Sequence, residues 1–330
     1  MIFNGIKLIL KLILDIVKHI VFILALTLFS SITLFAQKKV VFILIDGVPT
    51  DVLERVRTPN IDAIAKKGAF VEAYVGGEKG GETETPTISA PGYMSLITGT
   101  WANKHNVWGN GVKDPNYEYW NIFRMVEEIE PDRKTAIFST WEDNRTKLVG
   151  EGLAKAGNIK LDYAFDGFEK DTVRFPHKPD RKFILEIDEL VSKEAARYIS
   201  EEGPDVSWVY LEYTDDMGHK FGDSPQMDEA VKLADKQIGR IWEAVKQREK
   251  KHDENWLFVV TTDHGRTQKD GKGHGGQSDR ERKTWLVTNL TGNFRKPTPI
   301  VDILPSMVDF LELRLPNLIK QQLDGRSFFR

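Results

Sequence analysis

The chain of 330 residues contains no cysteine. A disulfide framework and thiolate metal ligands are therefore excluded, and any metal ion must be held by histidine, aspartate and glutamate. An excess of positive charge is also lacking, because 46 basic residues stand against 49 acidic ones, a formal net charge of −3. Binding to a nucleic acid duplex is therefore not predicted. The sequence has neither an internal repeat nor a low-complexity linker.

Residues 1–36 differ in composition from the rest of the chain. Lys7, Lys11 and Lys18 precede the apolar run "IVFILALTLFSSITLFA", which ends at the small residue Ala36 directly before "QKK". This arrangement is typical of a secretory signal peptide and predicts cleavage after Ala36. The alternative is an uncleaved membrane anchor, because the apolar run is almost long enough to span a bilayer. Both interpretations predict export, either to a secreted or periplasmic location or to a membrane surface.

From residue 37 onwards, segments typical of strands alternate with segments typical of helices. The apolar run "VVFILID" indicates a buried strand, and "KTAIFST", "VSWVYLEY", "LFVVTTD" and "TWLVTN" are further strand candidates. Two helices are predicted, "TPNIDAIAKKG" with Thr58 as N-cap and "SPQMDEAVKLADKQIGRIWEAVK" with Ser224 as N-cap. This order predicts an α/β fold, a three-layer sandwich around a mostly parallel sheet. Residues 109–180 are rich in aromatics, proline and glycine, and they predict a small cap-like insertion.

Acidic residues follow three of the predicted strands. The first strand ends at Asp46, "VSWVYLEY" runs into Asp215 and Asp216, and "LFVVTTD" ends at Asp263. Open α/β sheets bind their ligands beyond the carboxyl ends of the strands, so these carboxylates should converge. Neighbouring carboxylates repel one another unless a cation neutralises them. The pattern therefore indicates a metal site.

Three histidines accompany these carboxylates. His219 lies four residues after Asp215, His264 directly follows Asp263, and His274 lies in the glycine-rich stretch "DGKGHGGQSD", which can fold back over the same edge. Two Asp-His pairs, together with Asp46 and His274, supply enough nitrogen and oxygen ligands for two divalent metal ions, and zinc is the favoured metal. One such residue alone would be interpreted as a loop cap. Six of them at strand ends favour a shared site.

The segment "TPTISAPGYMSLITG" provides the candidate nucleophile. Ser89 ends a run of hydroxyl residues and precedes Pro91 and an apolar stretch that can begin a helix. Free backbone N–H groups at a helix N-terminus favour negative charge, so a hydroxyl there is well placed beside an anionic substrate. The alternative is that Ser89 is only an N-cap. Three other hydroxyl groups compete for the role of nucleophile: Thr85, Thr87 and Ser95.

Six motifs occur along the chain in the order "VVFILIDG", "TPNIDAIAKKG", "SAPGYMSLITG", "YTDDMGH", "TTDHG" and "GHGG". This succession resembles the alkaline phosphatase superfamily, and most closely its type I phosphodiesterase/nucleotide pyrophosphatase branch. In that family the nucleophile is a threonine or serine two residues before a proline, so the resemblance selects Ser89 over Thr87. The phosphoryl-binding asparagine of the family closes a segment like "HNVWGN", which implies this role for Asn110. Without the resemblance, Asn110 would be interpreted as a turn residue.

The resemblance also implies how the ligands divide between two metal ions. The first metal would be held by a group that we call site A, which consists of Asp215, His219 and His274. The second would be held by site B, which consists of Asp46, Asp263 and His264. Ser89 would lie beside the second metal as a further ligand. Residues 37–330 would form an alkaline phosphatase-like catalytic domain that hydrolyses small-molecule phosphoric esters. A covalent phosphoserine would form at Ser89 and then be hydrolysed, and Asn110 would stabilise a phosphoryl oxygen.

The substrate class follows from charge and aromatic content. A phosphomonoester carries more negative charge than a diester, and the candidate cations for it are Arg145 and Lys147, although Glu142 and Asp143 weaken the local positive potential. A diester brings a second substituent, a nucleoside or a lipid-like group, that could stack on aromatic side chains. The candidates for stacking, which could equally pack a cap, are Trp108, Tyr117, Tyr119 and Trp120. A diester substrate is therefore favoured, with a phosphomonoester as the alternative.

Other functions fit the same pattern less well. A membrane-anchored phosphoethanolamine-type transferase would require an uncleaved anchor at the N-terminus. An inactive binding module would require a broken ligand set, and all six positions carry ligand residues. A sulfatase of the superfamily would resemble C-x-P-x-R at the nucleophile, and the chain has no cysteine there and no arginine after Pro91.

Overall fold

A computed structural model of the protein describes residues 5–7, 10–19 and 36–329. Residues 5–7 and 10–19 are helical. The signal-peptide and anchor hypotheses depend on the apolar run of residues 20–36. Residues 20–35 of this run lie outside the described residues. Within the described ranges, every helix is too short or too polar to cross a membrane. The chain from Lys38 onwards forms a unit of its own.

One mixed sheet of eight strands forms the centre of the fold. The strands are β1 (Gln37–Ile45), β2 (Ala69–Tyr74), β3 (Thr135–Ser139), β4 (Tyr163–Phe165), β5 (Val206–Leu211), β6 (Glu254–Thr261), β7 (Lys283–Thr288) and β8 (Thr298–Pro299). Their order across the sheet is β4-β3-β5-β1-β6-β7-β2-β8. β1 pairs in parallel with β5, and β3 with β4 and β5, whereas β7 is antiparallel to both β2 and β6. All five predicted strands and the mostly parallel sheet are confirmed.

The α-helices of residues 36–329 lie between these strands or, for the last two, after the last strand. They are α1 (Thr50–Arg55), α2 (Pro59–Lys67), α3 (Ser89–Thr98), α4 (Ala102–His105), α5 (Ile122–Ile129), α6 (Lys182–Glu202), α7 (Tyr213–Phe221), α8 (Pro225–Lys251), α9 (Asp279–Arg282), α10 (Ile303–Phe310) and α11 (Asn317–Gln322). A π-helix spans Asn144–Val149, and short 3₁₀ turns span Ala154–Ala156, Phe168–Lys170 and Ile300–Asp302.

Side chains of β1 pack in two separate apolar layers. Phe42 and Leu44 lie in one layer with residues of α3, α5 and α10. Ile43 and Ile45 lie in the other with residues of α1, α2, α6 and α8. Successive side chains of a strand point to opposite faces, so a central strand with helices on both sides is apolar without alternation. The predicted three-layer sandwich is confirmed.

The two predicted helices begin differently from each other. Ser224 is the N-cap of α8, and its hydroxyl accepts a hydrogen bond from Met227 N at 3.2 Å, as predicted. Thr58 is at the N-cap position of α2, but its side chain makes no capping hydrogen bond. Thr58 is therefore the N-cap residue, as predicted, while Asp235 of α8 accepts the hydrogen bonds from the first-turn N–H groups of Asn60 and Ile61.

The range 109–180 is not simply an insertion outside the sheet. It contains α5, β3 and β4, and β3 lies between β4 and β5 in the sheet. These two strands of the range therefore belong to the sheet itself. The aromatic residues that motivated the prediction of an insertion serve partly as core, since Tyr117 packs in the same apolar layer as α5.

Candidate active site

The predicted ligands meet where the central strands end. Asp46 directly follows β1, and Asp263 follows the neighbouring strand β6 within two residues. Asp215 lies in the first turn of α7, which begins two residues after β5, on the other side of β1. The expected convergence is present, since one ligand atom each of Asp46, Asp215 and His264 lies within 4.8 Å of the others.

Site A consists of ligand atoms at the spacing of a zinc site. His219 Nε2 lies 3.2 Å from Asp215 Oδ2 and 3.0 Å from His274 Nε2. Tetrahedral ligands at about 2.0–2.1 Å from zinc are separated from one another by roughly 3.3–3.4 Å. His274 Nδ1 lies 2.9 Å from the carbonyl oxygen of Thr87 and donates its hydrogen there, so the Nε2 lone pair points into the site. Site A therefore fits a metal ion.

Site B contains three buried ligand atoms that have no hydrogen-bond partner among the described residues: Asp46 Oδ1, Asp263 Oδ2 and His264 Nε2. His264 Nε2 lies 3.4 Å from Asp46 Oδ1 and 3.3 Å from Asp263 Oδ2. Leaving one buried polar atom unsatisfied costs about 1–3 kcal/mol, so three that face one another indicate a group that is bound between them. A cation satisfies all three.

The remaining atoms of the site B ligands are fixed by the protein. The hydroxyl groups of Tyr93 and Tyr210 both donate to Asp46 Oδ2, the latter at 2.7 Å. Gly47 N donates to Asp263 Oδ1 at 3.1 Å. His264 Nδ1 donates to the carbonyl oxygen of Gly265 at 2.9 Å. Such outer contacts orient metal ligands, and each of them leaves the free atom of its ligand facing the site.

The electrostatics of the site reflect crowded carboxylates. Burial, assisted by the nearby charge of Asp215, raises the pKa of Asp46 to about 7. Burial and then the charge of Asp46 raise the pKa of Asp263 well above its ordinary value. Burial lowers the pKa of His264 well below its ordinary value. These groups therefore resist ionisation without a cation between them, as expected for neighbouring buried acids.

Ser89 is the first residue of α3, and residues on either side of it lie against the two candidate sites. The N-cap position is Ile88, so the alternative that Ser89 is the N-cap is wrong. The carbonyl oxygen of Thr87, two residues before Ser89, contacts His274 of site A. Gly92, in the first turn of α3, lies against Asp263 of site B, because a Cβ added to this glycine would be 3.0 Å from Asp263 Cβ. The Ser89 hydroxyl has no hydrogen-bond partner within the part of the chain that the structure describes.

The three competing hydroxyl groups are engaged by the backbone. Thr87 Oγ1 donates to the Gly276 carbonyl at 2.8 Å. Ser95 is fully buried and donates to the Pro91 carbonyl at 2.7 Å. Thr85 Oγ1 accepts a hydrogen bond from an α4 backbone N–H and donates to a carbonyl of its own loop. Each of these hydroxyls has a structural role, which favours Ser89 as the nucleophile.

Asn110 lies beside the N-terminus of α3. It is in a turn, in agreement with the simpler interpretation. However, its Oδ1 also accepts a hydrogen bond of 3.0 Å from Ala90 N, the residue after Ser89. The side-chain amide is thereby held next to the candidate nucleophile, and its N–H groups remain available for an oxygen atom of a substrate.

Arg145 and Lys147 are engaged by acidic side chains. Arg145 makes a bidentate contact with Asp166, at 2.7 and 2.9 Å, and a further one with Glu151 at 2.7 Å. Lys147 Nζ lies 2.7 Å from Asp143. These ion pairs compensate the charges of both residues within the fold, which disfavours the alternative that they face the extra charge of a monoester.

The four candidate stacking residues differ in exposure. Tyr117 is buried, and its hydroxyl donates to the Lys147 carbonyl. Trp120 is half-buried, packs against the core and is covered by the Arg124 guanidinium at 4.6 Å. Tyr119 is half-buried, whereas Trp108 has 49% of its surface exposed and is held by a hydrogen bond from its Nε1 to Asn106. Of the four, Trp108 is the most exposed.

Comparison with known proteins places the chain in a family. The family model of type I phosphodiesterase / nucleotide pyrophosphatase matches residues 40–312. Human ectonucleotide pyrophosphatase/phosphodiesterase family member 5 is 28% identical over 243 residues, which are 70% of this chain and 46% of that protein. An uncharacterized pyrophosphatase/phosphodiesterase of Schizosaccharomyces pombe is 27% identical over 324 residues, 91% of this chain and 60% of that protein. The chain therefore spans about half the length of these curated relatives.

The fold comparison agrees with this assignment. An inactive threonine-to-alanine variant of murine ectonucleotide pyrophosphatase/phosphodiesterase 5, in complex with AMP, superposes with a TM-score of 0.53 at 15% identity and covers 87% of this chain and 99% of that chain. At this identity the similarity supports the fold alone. With the match of the family model over most of its length, the chain belongs to the type I phosphodiesterase / nucleotide pyrophosphatase family.

Proposed function

We propose that residues 37–330 form a two-metal hydrolase of phosphoric esters that acts on diesters through a covalent phosphoserine at Ser89. The observation that supports it most strongly is the set of three unsatisfied ligand atoms in site B, which are buried, converge and lie beside the N-terminus of α3. Export through residues 1–36, to a secreted or membrane-anchored state, is part of the proposal and is supported by the lysines and apolar run of that segment.

In this proposal, Asp215, His219 and His274 hold one metal ion, and Asp46, Asp263 and His264 hold the other. Bound metal ions, with zinc favoured, would supply Lewis acidity and neutralise negative charge at the phosphorus centre. The residues of the chain provide the nucleophile and the positioning of the substrate.

The chain's own residues divide the chemistry as follows. Ser89 Oγ gives up its proton and forms a bond to phosphorus while the bond to the leaving oxygen breaks and that oxygen gains a proton. Water then hydrolyses the phosphoserine and restores the hydroxyl group. The backbone N–H of Ser89 and the N–H groups of the Asn110 side chain hold the phosphoryl oxygens, where negative charge develops, whereas the Ala90 N–H is already used by Asn110 Oδ1.

We expect about two zinc ions per chain, because six ligands exceed what one tetrahedral zinc ion uses. Elemental analysis after purification without chelator, with zinc supplied, measures the stoichiometry, and turnover of bis-nitrophenyl phosphate measures the activity. Chelation should abolish turnover, and added zinc should restore it. A chain that binds no divalent metal under these conditions contradicts the proposal.

We expect diesters to be preferred to monoesters. Arg145 is compensated by Asp166 and Glu151, so it contributes little extra positive charge for a dianion, and the exposed Trp108 can stack on a second ester substituent. The family, which is named for nucleotide pyrophosphatases, supports a nucleoside as that substituent. The measurement is kcat/KM for nitrophenyl phosphate and bis-nitrophenyl phosphate.

Arg145→Ala is the matched control for this preference. Because it lies outside the proposed phosphate contacts, its kcat/KM ratio for the two esters should stay within about threefold of the wild-type ratio. A monoester preference above about tenfold that is lost in Arg145→Ala would contradict the proposal. Arg145 would then contribute ~1.4 kcal/mol or more to stabilisation of the monoester transition state.

A further inference from the structure

Arg266 is a fully buried arginine that lies between the two candidate metal sites. Its exposed fraction is 1%, although arginine is seldom buried without partners. Nε donates to the carbonyl oxygen of Gly47 at 3.0 Å, and Nη1 to that of Lys272 at 3.2 Å. Nη2 donates to the carbonyl oxygen of Asp215 at 2.7 Å and also to Asp215 Oδ1. Four of the five N–H hydrogens of the guanidinium therefore have an acceptor.

Arg266 and its acceptors together belong to the four chain segments that carry the carboxylate and histidine ligands. Gly47 follows Asp46, and Lys272 lies two residues before His274. Arg266 itself lies two residues after His264 and therefore extends from the segment that begins with Asp263. One rigid, planar group thus holds the segments of site A and site B at fixed separations.

The contact with Asp215 determines which oxygen atom of that carboxylate is free. Oδ1 is taken by Arg266 Nη2, and Oδ2 is the atom that lies 3.2 Å from His219 Nε2. Space for the guanidinium is provided within α7, because a Cβ at Gly218 would lie 2.1 Å from Arg266 Nε and Cζ. The sequence of α7 therefore accommodates both the metal ligands and the arginine that orients them.

We propose that Arg266 is a positioning residue that presets Asp215 for site A and the Asp46–Gly47 turn for site B, so that the affinity of both sites for divalent metal depends on its guanidinium. This inference rests on the proposed function, because it assumes that the two sites bind metal. It goes beyond that function by assigning the preorganisation of both sites to one residue that is not itself a ligand.

The test is the zinc affinity of the full chain, measured by competition with a chelating dye. Loss of an outer-shell partner lowers metal affinity about 10- to 100-fold, and we expect losses of this size in Arg266→Met. Arg266→Lys keeps the charge but cannot reach all three segments, so its loss should be intermediate. Arg280→Met is the matched control, because Arg280 also bridges segments, to Thr267 O and Asp223, without contacting a ligand.

Gly218→Ala keeps the test decisive if Arg266→Met fails to fold. It retains all six ligands and Arg266 but displaces the guanidinium, and alanine is favourable in a helix. Reduced zinc affinity in Gly218→Ala and Arg266→Lys, with wild-type affinity in Arg280→Met, supports the inference. Unchanged affinity in the Arg266 and Gly218 variants, or an equal loss in Arg280→Met, overturns it. A wild-type chain that binds no zinc overturns the proposed function and this inference together.

Discussion

Replacing Ser89 with alanine is expected to lower kcat for a phosphodiester by a factor of at least about 10³, because the covalent step loses its nucleophile. The fold should tolerate the change, since the N-cap of α3 is Ile88 and the Ser89 hydroxyl has no partner among residues 36–329. Zinc content should remain close to that of the wild type. The measurement combines steady-state turnover of bis-nitrophenyl phosphate with elemental analysis and thermal unfolding of the same preparation.

Three further variants separate the nucleophile from its neighbours. Ser89→Thr retains a hydroxyl and should keep part of the rate. Thr87→Ala and Ser95→Ala remove hydroxyl groups that donate to the Gly276 and Pro91 carbonyls, so they should lower stability more than they lower the chemical rate. Activity near the wild-type level in Ser89→Ala, together with an inactive Thr87→Ala, would assign the role to Thr87.

Replacing His219 with alanine is expected to lower turnover by about 10²–10³, because a metal ion contributes several kcal/mol to stabilisation of the transition state. Site A would keep only Asp215 and His274, so zinc content should fall from about two ions per chain towards one. The side chain of His219 is 48% exposed, and its removal should therefore leave the hydrophobic core unchanged.

His252→Ala is the matched control for His219→Ala. His252 lies at the C-terminal cap position of α8, is exposed and belongs to neither site. Its replacement should leave zinc content and turnover at wild-type values. Equal zinc content and equal turnover in the two variants would contradict the assignment of His219 to site A.

The central part of the fold could be predicted because its signals are local. Strands buried on both faces give continuous apolar runs, which is why β1, β3, β5, β6 and β7 are evident in the sequence. The strands that were not predicted are β2, β4 and β8. β4 and β8 have only three and two residues, and β2 has mixed burial, so none of them presents a long apolar run.

The antiparallel direction of β7 was not evident for a different reason. Strand direction depends on which neighbours a segment pairs with, and the residues of "TWLVTN" are as apolar as those of a parallel strand. The two sheet strands within residues 109–180 are a similar case, because aromatic and glycine content alone does not distinguish a cap from a sheet segment with long loops.

For the candidate site, the convergence of the carboxylates could be predicted, whereas the residues that contact them could not. Carboxylates at strand ends converge by a general rule of open sheets, so Asp46, Asp215 and Asp263 were accessible to sequence reasoning. Arg266 has the sequence character of a surface residue, and its burial follows only from tertiary contacts. Tyr93 likewise has the sequence character of an ordinary core aromatic, although its hydroxyl contacts Asp46.

The position of β1 between β5 and β6 has a consequence for the order of folding. Gly47 and Asp263, which are joined by a hydrogen bond, are 216 residues apart in the chain. Contacts of such long range close only after the intervening loop entropy has been overcome, so they form late. A partly folded chain would then hold its ligands apart, capture zinc poorly and leave esters intact. Catalytic competence would arise only in chains whose central strands have already assembled, which makes activity itself a marker of completed folding.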